Sequence, residues 1–470
     1  MSHKNLNDLI SLKLKYQRIF FYRICGTGMG AAASLLKEKG FDVQGGDHQF
    51  FPPMSDYLNK TEIPCHNLSE IDDKSLREFD LIVVGNVVPK NSDDAKRIES
   101  LGVAYCSFPA VLGAFILQDE NVVGISGTHG KTTTSYYMVQ ILESLGKNPG
   151  HVIGGVIEGR ASSRLGDGSY FVIESDEYDS SYFEKFSKFH SYFIDHLILT
   201  SLEFDHADIF QSVEDIQLEF KDLLKKIPGK IIANSDYPAI REIVAEACWY
   251  GEKSSNGPKV IKESRVGTEF EIDFEKQKYR FQTNIFGRHN ILNLSSVLHF
   301  LLGEGFAHNE LNKSLKNLKN VKRRQEVRGH WNKALLIDDF AHHPKAVKLT
   351  LESFKIQYPF IKLSVVFEPA SATARSDLFR REFAEGLSVA DSIAVIKPKK
   401  ETTVKNSKTL QVDKLSSELR TLGKYCHIIE TFQDLTHYLN ENSKQECIIA
   451  VLSNGTCMGL WESELVENLS

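Results

Sequence analysis

The chain has no run of about 18 apolar residues, so no stretch reads as a membrane-spanning helix. Its N-terminus, MSHKNLNDLISLKLKYQR, lacks the continuous apolar stretch of a signal peptide, which predicts a cytosolic protein. There is no basic surplus either. A net charge of −6 argues against a nucleic-acid partner held on a basic face. Cysteine is sparse, seven in all, odd in number and without any C-x-x-C, so neither a disulfide framework nor a zinc cage is expected. No repeat, low-complexity tract or signal for oligomeric state is present. At 470 residues the chain is too long for one core and predicts three domains of ordinary size.

What it does contain is GTHGKTTT at 127–134, where an apolar strand (Val122 to Ser126) gives way to a helix. Glycines at such a switch let the backbone bend, so that N–H groups and the positive helix end meet a phosphate. Gly127, Thr128, His129, Gly130, Lys131, Thr132 and Thr133 therefore form a candidate phosphate loop. Lys131 brings a point charge and Thr132 a hydroxyl for Mg²⁺. The usual G-x-x-x-x-G-K-[ST] fails by one residue, since it wants glycine where Ile125 stands. The loop still predicts a nucleoside triphosphate with Mg²⁺.

Strands and helices alternate along the chain, which predicts an α/β protein of parallel sheets with helical crossovers. A strand from Ile19 to Ile24 runs into CGTGMG, and a helix from Ala33 ends at Gly40. Further strands are expected at Phe41–Val43 and Leu81–Gly85. A second domain opens at Val122, with strands at 171–175, 197–201 and 230–233 and antiparallel hairpins between Lys259 and Phe286. A third begins near Gly329, with strands at Leu335–Asp338, Leu363–Phe367, Ser392–Ile396 and Ile448–Leu452. The predicted division is 1–118, 119–328 and 329–470.

The loop variant G-T-x-G-K-T resembles that of the Mur ligases, which join a carboxylate to an amine using ATP. FVIESDEYDSSYF (171–183), LEFDHADIF (202–210), FGRHNILN (286–293), KRRQE (322–326) and IDDFAHHP (337–344) follow in that family's order. The resemblance implies three domains: an N-terminal Rossmann-like one for a uridine diphosphate sugar, a central P-loop ATPase α/β domain, and a C-terminal Rossmann-like domain closing on ATP. FPPMS at 51–55, the LEF lead into Asp205-His206, and Phe340 resemble the branch that adds a murein tripeptide to UDP-N-acetylmuramate. The branch adding L-alanine alone is the alternative. A phosphate-loop ATPase or GTPase would explain GTHGKTTT but not the muramate-like first domain.

The resemblance also assigns residues. Glu174 ends a strand, where ligands bind in such sheets, and with Thr132 offers the hard oxygens Mg²⁺ prefers. His206 is implied as partner to a second Mg²⁺, while Asp176, Glu177 and Asp179 either position substrate or are solvated. Gly26, Thr27, Gly28, Met29 and Gly30 give G-x-G-x-G, which on spacing alone fits a nucleotide site or a tight βα turn equally. The family tips it to the sugar nucleotide, with Asp47 at a ribose or uracil and Asn86 in the same crevice. Asn290, Asn293, Arg324 and Asp339 are implied ATP contacts; capping is the other role open to Asn290. His342 or His343 would contact the γ-phosphate or the amine, and His343 is the expected catalytic one. Lys221 lies where several relatives carry a modified metal-binding lysine, but a lysine on an amphipathic helix is most often a solvated one, and it is not assigned. Peptide choice falls to the last domain, where EPAS (368–371) departs from the E-P-R-S expected of the tripeptide branch, and Arg375 is the substitute cation.

Overall fold

Apolar runs bounded by glycine and polar turns become buried strands, and the helices between them return the chain in one direction. The computed structural model describes residues 3–50, 54–155, 161–203, 210, 212–264, 267–404, 407–467 and 469. The described chain forms two compact units, one comprising Met1–Glu203, Glu214–Asn256 and Ser296–Ser314, the other Phe204–Val213, Gly257–Ser295 and Leu315–Ser470.

The first unit holds two sheets. One has five parallel strands in the spatial order Cys65–Asn67, Asp42–Asp47, Arg18–Tyr22, Leu81–Val84, Ala104–Ser107. Strand order reverses between Arg18–Tyr22 and Leu81–Val84, which opens a crevice at their carboxyl ends. The helix leaving the first of these begins at Thr27, earlier than the apolar spacing suggested, and runs Thr27–Glu38 with Gly40 at φ +98° just beyond.

The second sheet has seven strands: Cys248–Tyr250, Ile231–Asn234, Ile194–Leu199, Val122–Ser126, Phe171–Glu174, Gly150–Val152 and Ser163–Arg164. All are parallel except Ser163–Arg164. Val122–Ser126, wholly buried, sits between Ile194–Leu199 and Phe171–Glu174, so the loop after it lies beside the ends of both.

The second unit holds a three-stranded antiparallel sheet (Lys259–Ser264, Gly267–Phe274, Gln277–Thr283), the expected hairpins. Its six-stranded sheet runs Glu326–Trp331, Ala334–Asp339, Cys447–Ser453, Lys362–Glu368, Ser392–Ile396, Cys426–Ile429. Glu326–Trp331 is an antiparallel edge strand that starts before Gly329, with a bulge between Val327 and Gly329. Neither it nor Cys426–Ile429 has the long apolar run of the central strands, and the sequence reading missed both.

Candidate active site

The phosphate loop takes its shape from two glycines. Gly127 has φ +130°, and a Cβ there would stand 2.5 Å from Thr200 Oγ1 and 2.6 Å from Ser201 O. Gly130, at φ +86°, precedes helix Lys131–Ser144. Thr200 Oγ1 donates to Ser126 O (3.0 Å) and His129 O (2.6 Å), tying the loop to the end of Ile194–Leu199. The N–H groups of Thr128 and His129 donate to Ser201 O (3.2 Å) and Ser201 Oγ (2.7 Å). The expectation that successive loop N–H groups face an anion is corrected here, because those two already have protein acceptors. The N–H groups of Lys131, Thr132 and Thr133, in the first helical turn, have no acceptor within the helix and lie at its positive end.

Thr132 Oγ1 donates to Glu174 Oε1 at 2.9 Å, and Gly154 N to Glu174 Oε2 at 2.8 Å. Mg²⁺ with ligands at 2.0–2.1 Å places adjacent oxygens of its octahedron about 2.9 Å apart. The separation of the two oxygens therefore matches that of two neighbouring ligands of one Mg²⁺. Burial raises the Glu174 pKa, opposed by the Lys131 charge and the Gly154 N–H. Lys131 Nζ donates to Gly127 O (2.7 Å) and to both oxygens of Glu177 (3.0 and 3.3 Å), with Asp176 at 4.0 Å. Burial works against the ammonium, but Glu177, Asp176 and Glu174 outweigh it and raise its pKa. His206, with Asp205 and Asp208, lies outside the described residues, as do 51–53 of FPPMS. Lys221 is exposed on helix Val213–Leu224.

In the other sheet of this unit the glycine turn does two jobs. Gly28 and Gly30 admit neighbours, since a Cβ at Gly28 would stand 3.0 Å from the Phe108 ring and one at Gly30 2.5 Å from Met54 Cε. Gly26 is uncrowded and caps the helix. A Cβ at Gly85 would lie 3.1 Å from Met29 Cγ, so the turn and the segment carrying exposed Asn86 share the crevice at the strand-order reversal. Asp47, expected at a ribose or uracil, is held by three neighbouring groups, which leaves its carboxylate acceptor capacity for a further donor. Its Oδ2 accepts from Cys25 N (3.0 Å), its Oδ1 from His48 N (2.8 Å), and Arg23 pairs with it at 3.3 Å.

In the second unit, Gly287 (φ +86°) precedes helix Arg288–Gly303. Asn290 is not the cap: its Nδ2 donates to Phe286 O at 2.9 Å and braces the turn before the helix. Asn293 follows one turn later. Burial and the Arg324 charge push His289 down to about 4. The Arg324 charge also acts on buried Asp339, whose carboxyl is raised by burial and accepts from Gln325 N and Ala341 N, both 2.8 Å. The guanidinium of Arg324 lies 4.9 Å from the Phe340 ring centre. His289, Arg324 and Asp339 are thus gathered into one cluster. His343 is buried, 5.5 Å from the Phe379 ring, just before helix Pro344–Gln357. Arg375 spans its own turn, its Nη1 donating to Ala370 O, and its buried Nε has no partner among the described residues. Glu368 accepts from Ser453 Oγ and Cys457 N, so the EPAS and SNGT segments are tied together.

Sequence reasoning missed Thr200 and Ser201 as the brace of the loop, left Glu177 undecided, and did not single out Lys188, whose Nζ donates to Asp176 Oδ2 at 3.0 Å. For Glu177 and Lys188 the only signal was an acid-rich stretch followed by lysines.

Comparison with known proteins agrees with this geometry. Family models described as Mur ligase family, catalytic domain, Mur ligase middle domain, and Mur ligase, glutamate ligase domain match residues 18–119, 125–301 and 323–455. The UDP-N-acetylmuramate–L-alanyl-gamma-D-glutamyl-meso-2,6-diaminoheptandioate ligase of Escherichia coli is 34% identical over 81% of this chain and 85% of its own length. The UDP-N-acetylmuramate–L-alanine ligase of Streptococcus sanguinis is 32% identical over 79% and 82%. The crystal structure of a murein peptide ligase from Psychrobacter arcticus superposes with a TM-score of 0.68, at 27% identity, covering 97% of this chain and 99% of that one. With a phosphate loop, a Thr–Glu oxygen pair and the matching segments in one order, this chain belongs to the Mur ligase family.

Proposed function

We propose that this chain joins the lactyl carboxylate of UDP-N-acetylmuramate to the alanyl amine of L-alanyl-γ-D-glutamyl-meso-diaminopimelate, converting ATP to ADP and phosphate. The observation that carries the reading is the Thr132–Glu174 pair beside Lys131 at a helix start, within a chain 34% identical to the E. coli ligase of that name. A carboxylate is a poor electrophile until phosphorylated. Attack on the γ-phosphorus gives an acyl phosphate and ADP; the amine then displaces phosphate. Lys131 and the first-turn N–H groups of Lys131, Thr132 and Thr133 hold the phosphate charge, within the loop shaped by Gly127, Thr128, His129 and Gly130. Thr132 and Glu174 hold Mg²⁺, which neutralises phosphate charge when bound, and His206 serves a second ion.

Gly26 to Gly30, Asp47 and Asn86 receive the sugar nucleotide. Asn290, Asn293, Arg324 and Asp339 contact ATP, His343 the reacting groups, and Arg375 the peptide. In this reading, 1–118 is the sugar-nucleotide domain, 119–328 the ATP domain and 329–470 the peptide domain, and the protein works in the cytoplasm. Addition of L-alanine alone is the second reading, favoured by the Streptococcus sanguinis relative and by Ala370 in place of arginine. Mass measurement of products from UDP-N-acetylmuramate, Mg-ATP and either L-alanine or the tripeptide tests both. No product with either amine refutes the ligase reading.

A further inference from the structure

Lys188 begins the short 3-10 turn Lys188–Ser191, and its side chain is only 12% exposed. Its ammonium meets groups that follow a strand of each sheet of the first unit, Ala104–Ser107 and Phe171–Glu174. It donates to Asp176 Oδ2 at 3.0 Å and lies 5.5 Å from the Tyr178 ring centre and 5.7 Å from that of Phe108. Phe108 is the ring that lies over Gly28, in the glycine turn. Asp176 is also the carboxylate 4.0 Å from Lys131 Nζ. One cation therefore joins the residue over the sugar-nucleotide turn to the carboxylate beside the phosphate-loop lysine.

An ammonium has three N–H donors. Asp176 accepts one, while aromatic faces attract the charge without requiring a lone-pair acceptor. No other acceptor among the described residues takes the remaining two, which are left for a ligand anion. The proposed reaction has a need of that kind: its carboxylate must approach a phosphate of like charge, and Lys131 already serves the phosphate. We propose that Lys188 binds the reacting carboxylate of the sugar-nucleotide substrate and holds it toward the phosphate loop. This rests on the substrate reading above. Lys188 keeps its proton throughout; the carboxylate oxygen forms the new P–O bond and the bond to ADP breaks. Its aromatic setting fixes the ammonium in place, so the substrate meets a positioned charge rather than a mobile one.

UDP-N-acetylmuramate and UDP-N-acetylglucosamine differ by the lactyl group alone, which isolates the carboxylate. Calorimetric titration of both into the full-length wild type, Lys188→Met and Lys188→Arg gives the test. Lys188→Met is expected to weaken muramate binding about tenfold or more, the loss for one hydrogen bond to a charged group. Glucosamine binding stays within about twofold, which also reports an intact fold, and Lys188→Arg restores part of the muramate affinity. Equal weakening for both ligands assigns Lys188 a structural role and overturns the inference, as does unchanged muramate binding. A wild type that does not prefer muramate to glucosamine removes the substrate reading, and the inference with it.

Discussion

Lys131 and Glu177 form a buried ion pair, with Nζ 3.0 Å from Oε2 and the carboxylate side chain only 3% exposed. The cation proposed to serve the phosphate therefore already has an anion beside it, and in that reading phosphate has to share or displace that partner. Replacing Lys131 with alanine removes charge stabilisation of roughly 3 kcal/mol or more. Phosphate release is expected to fall at least about a hundredfold, with an unchanged circular dichroism spectrum. Glu177→Gln removes the nearest of the anions around Lys131, Asp176 and Glu174 remaining, and is expected to tighten ADP binding, measured by titration without metal. Normal turnover by the alanine variant would refute the phosphate-loop assignment.

The Thr132–Glu174 pair predicts the metal dependence. Glu174→Gln keeps the hydrogen bond to Thr132 within reach but removes the anionic ligand. The Mg²⁺ concentration for half-maximal turnover is expected to rise about tenfold or more, for the loss of one charged ligand. A variant that titrates with Mg²⁺ as the wild type does would dissolve the proposed pairing. Chelation with EDTA stops turnover in either protein, and added Mg²⁺ restores it.

His289 sets an acid limit on stability. In the folded chain its pKa is lowered from 6.5 to about 4, through burial and then Arg324. Between those values the native state binds less proton than the unfolded chain, so stability falls as pH drops through that window. His289→Asn lacks this titration. The wild type is expected to lose more thermal stability than the variant between about pH 7 and about pH 4.5. Parallel losses in both proteins would place the acid sensitivity elsewhere.

Amine choice tests the peptide reading. A free L-alanine presents its own carboxylate, which calls for a cation near the acyl carbon. In the tripeptide that carboxylate is an amide and the charges lie farther out. The 368–374 stretch supplies no cation before Arg375. Ligation with the tripeptide is expected to be much faster than with L-alanine, and Arg375→Ala to lower it selectively. Since Arg375 also spans its own turn through Ala370 O, the variant's thermal midpoint is measured alongside. A tripeptide that is inert beside efficient L-alanine addition selects the other branch.

Much of this was legible in the residues because local signals agreed with tertiary ones. Val122–Ser126 and Phe171–Glu174 read as strands from apolar runs, and the run into Gly-Lys-Thr marked the loop. Edge strand Glu326–Trp331 was not legible: its EVRGHW is mostly polar, and its place depends on pairing with Ala334–Asp339. The bonds from Cys25 N, His48 N and Arg23 that hold Asp47 were not legible either. Lys188 was invisible for the same reason. Its setting depends on Phe108, far away in the chain, and spacing between lysines says nothing about which aromatic ring will meet one of them.

One contact near that lysine bears on how quickly a ligand finds its seat. A Cβ at Gly113, in helix Phe108–Phe115, would stand 2.0 Å from Ser191 O, at the end of the turn that carries Lys188. Backbone there meets backbone, so the helix that carries Phe108 and the turn that carries Lys188 form one continuous wall. Association of the sugar nucleotide alone should then follow a single exponential whose rate grows linearly with concentration, with no plateau from a preceding isomerisation. Bulk at position 113 would wedge that wall open, and Gly113→Val should reveal it as a slow second phase.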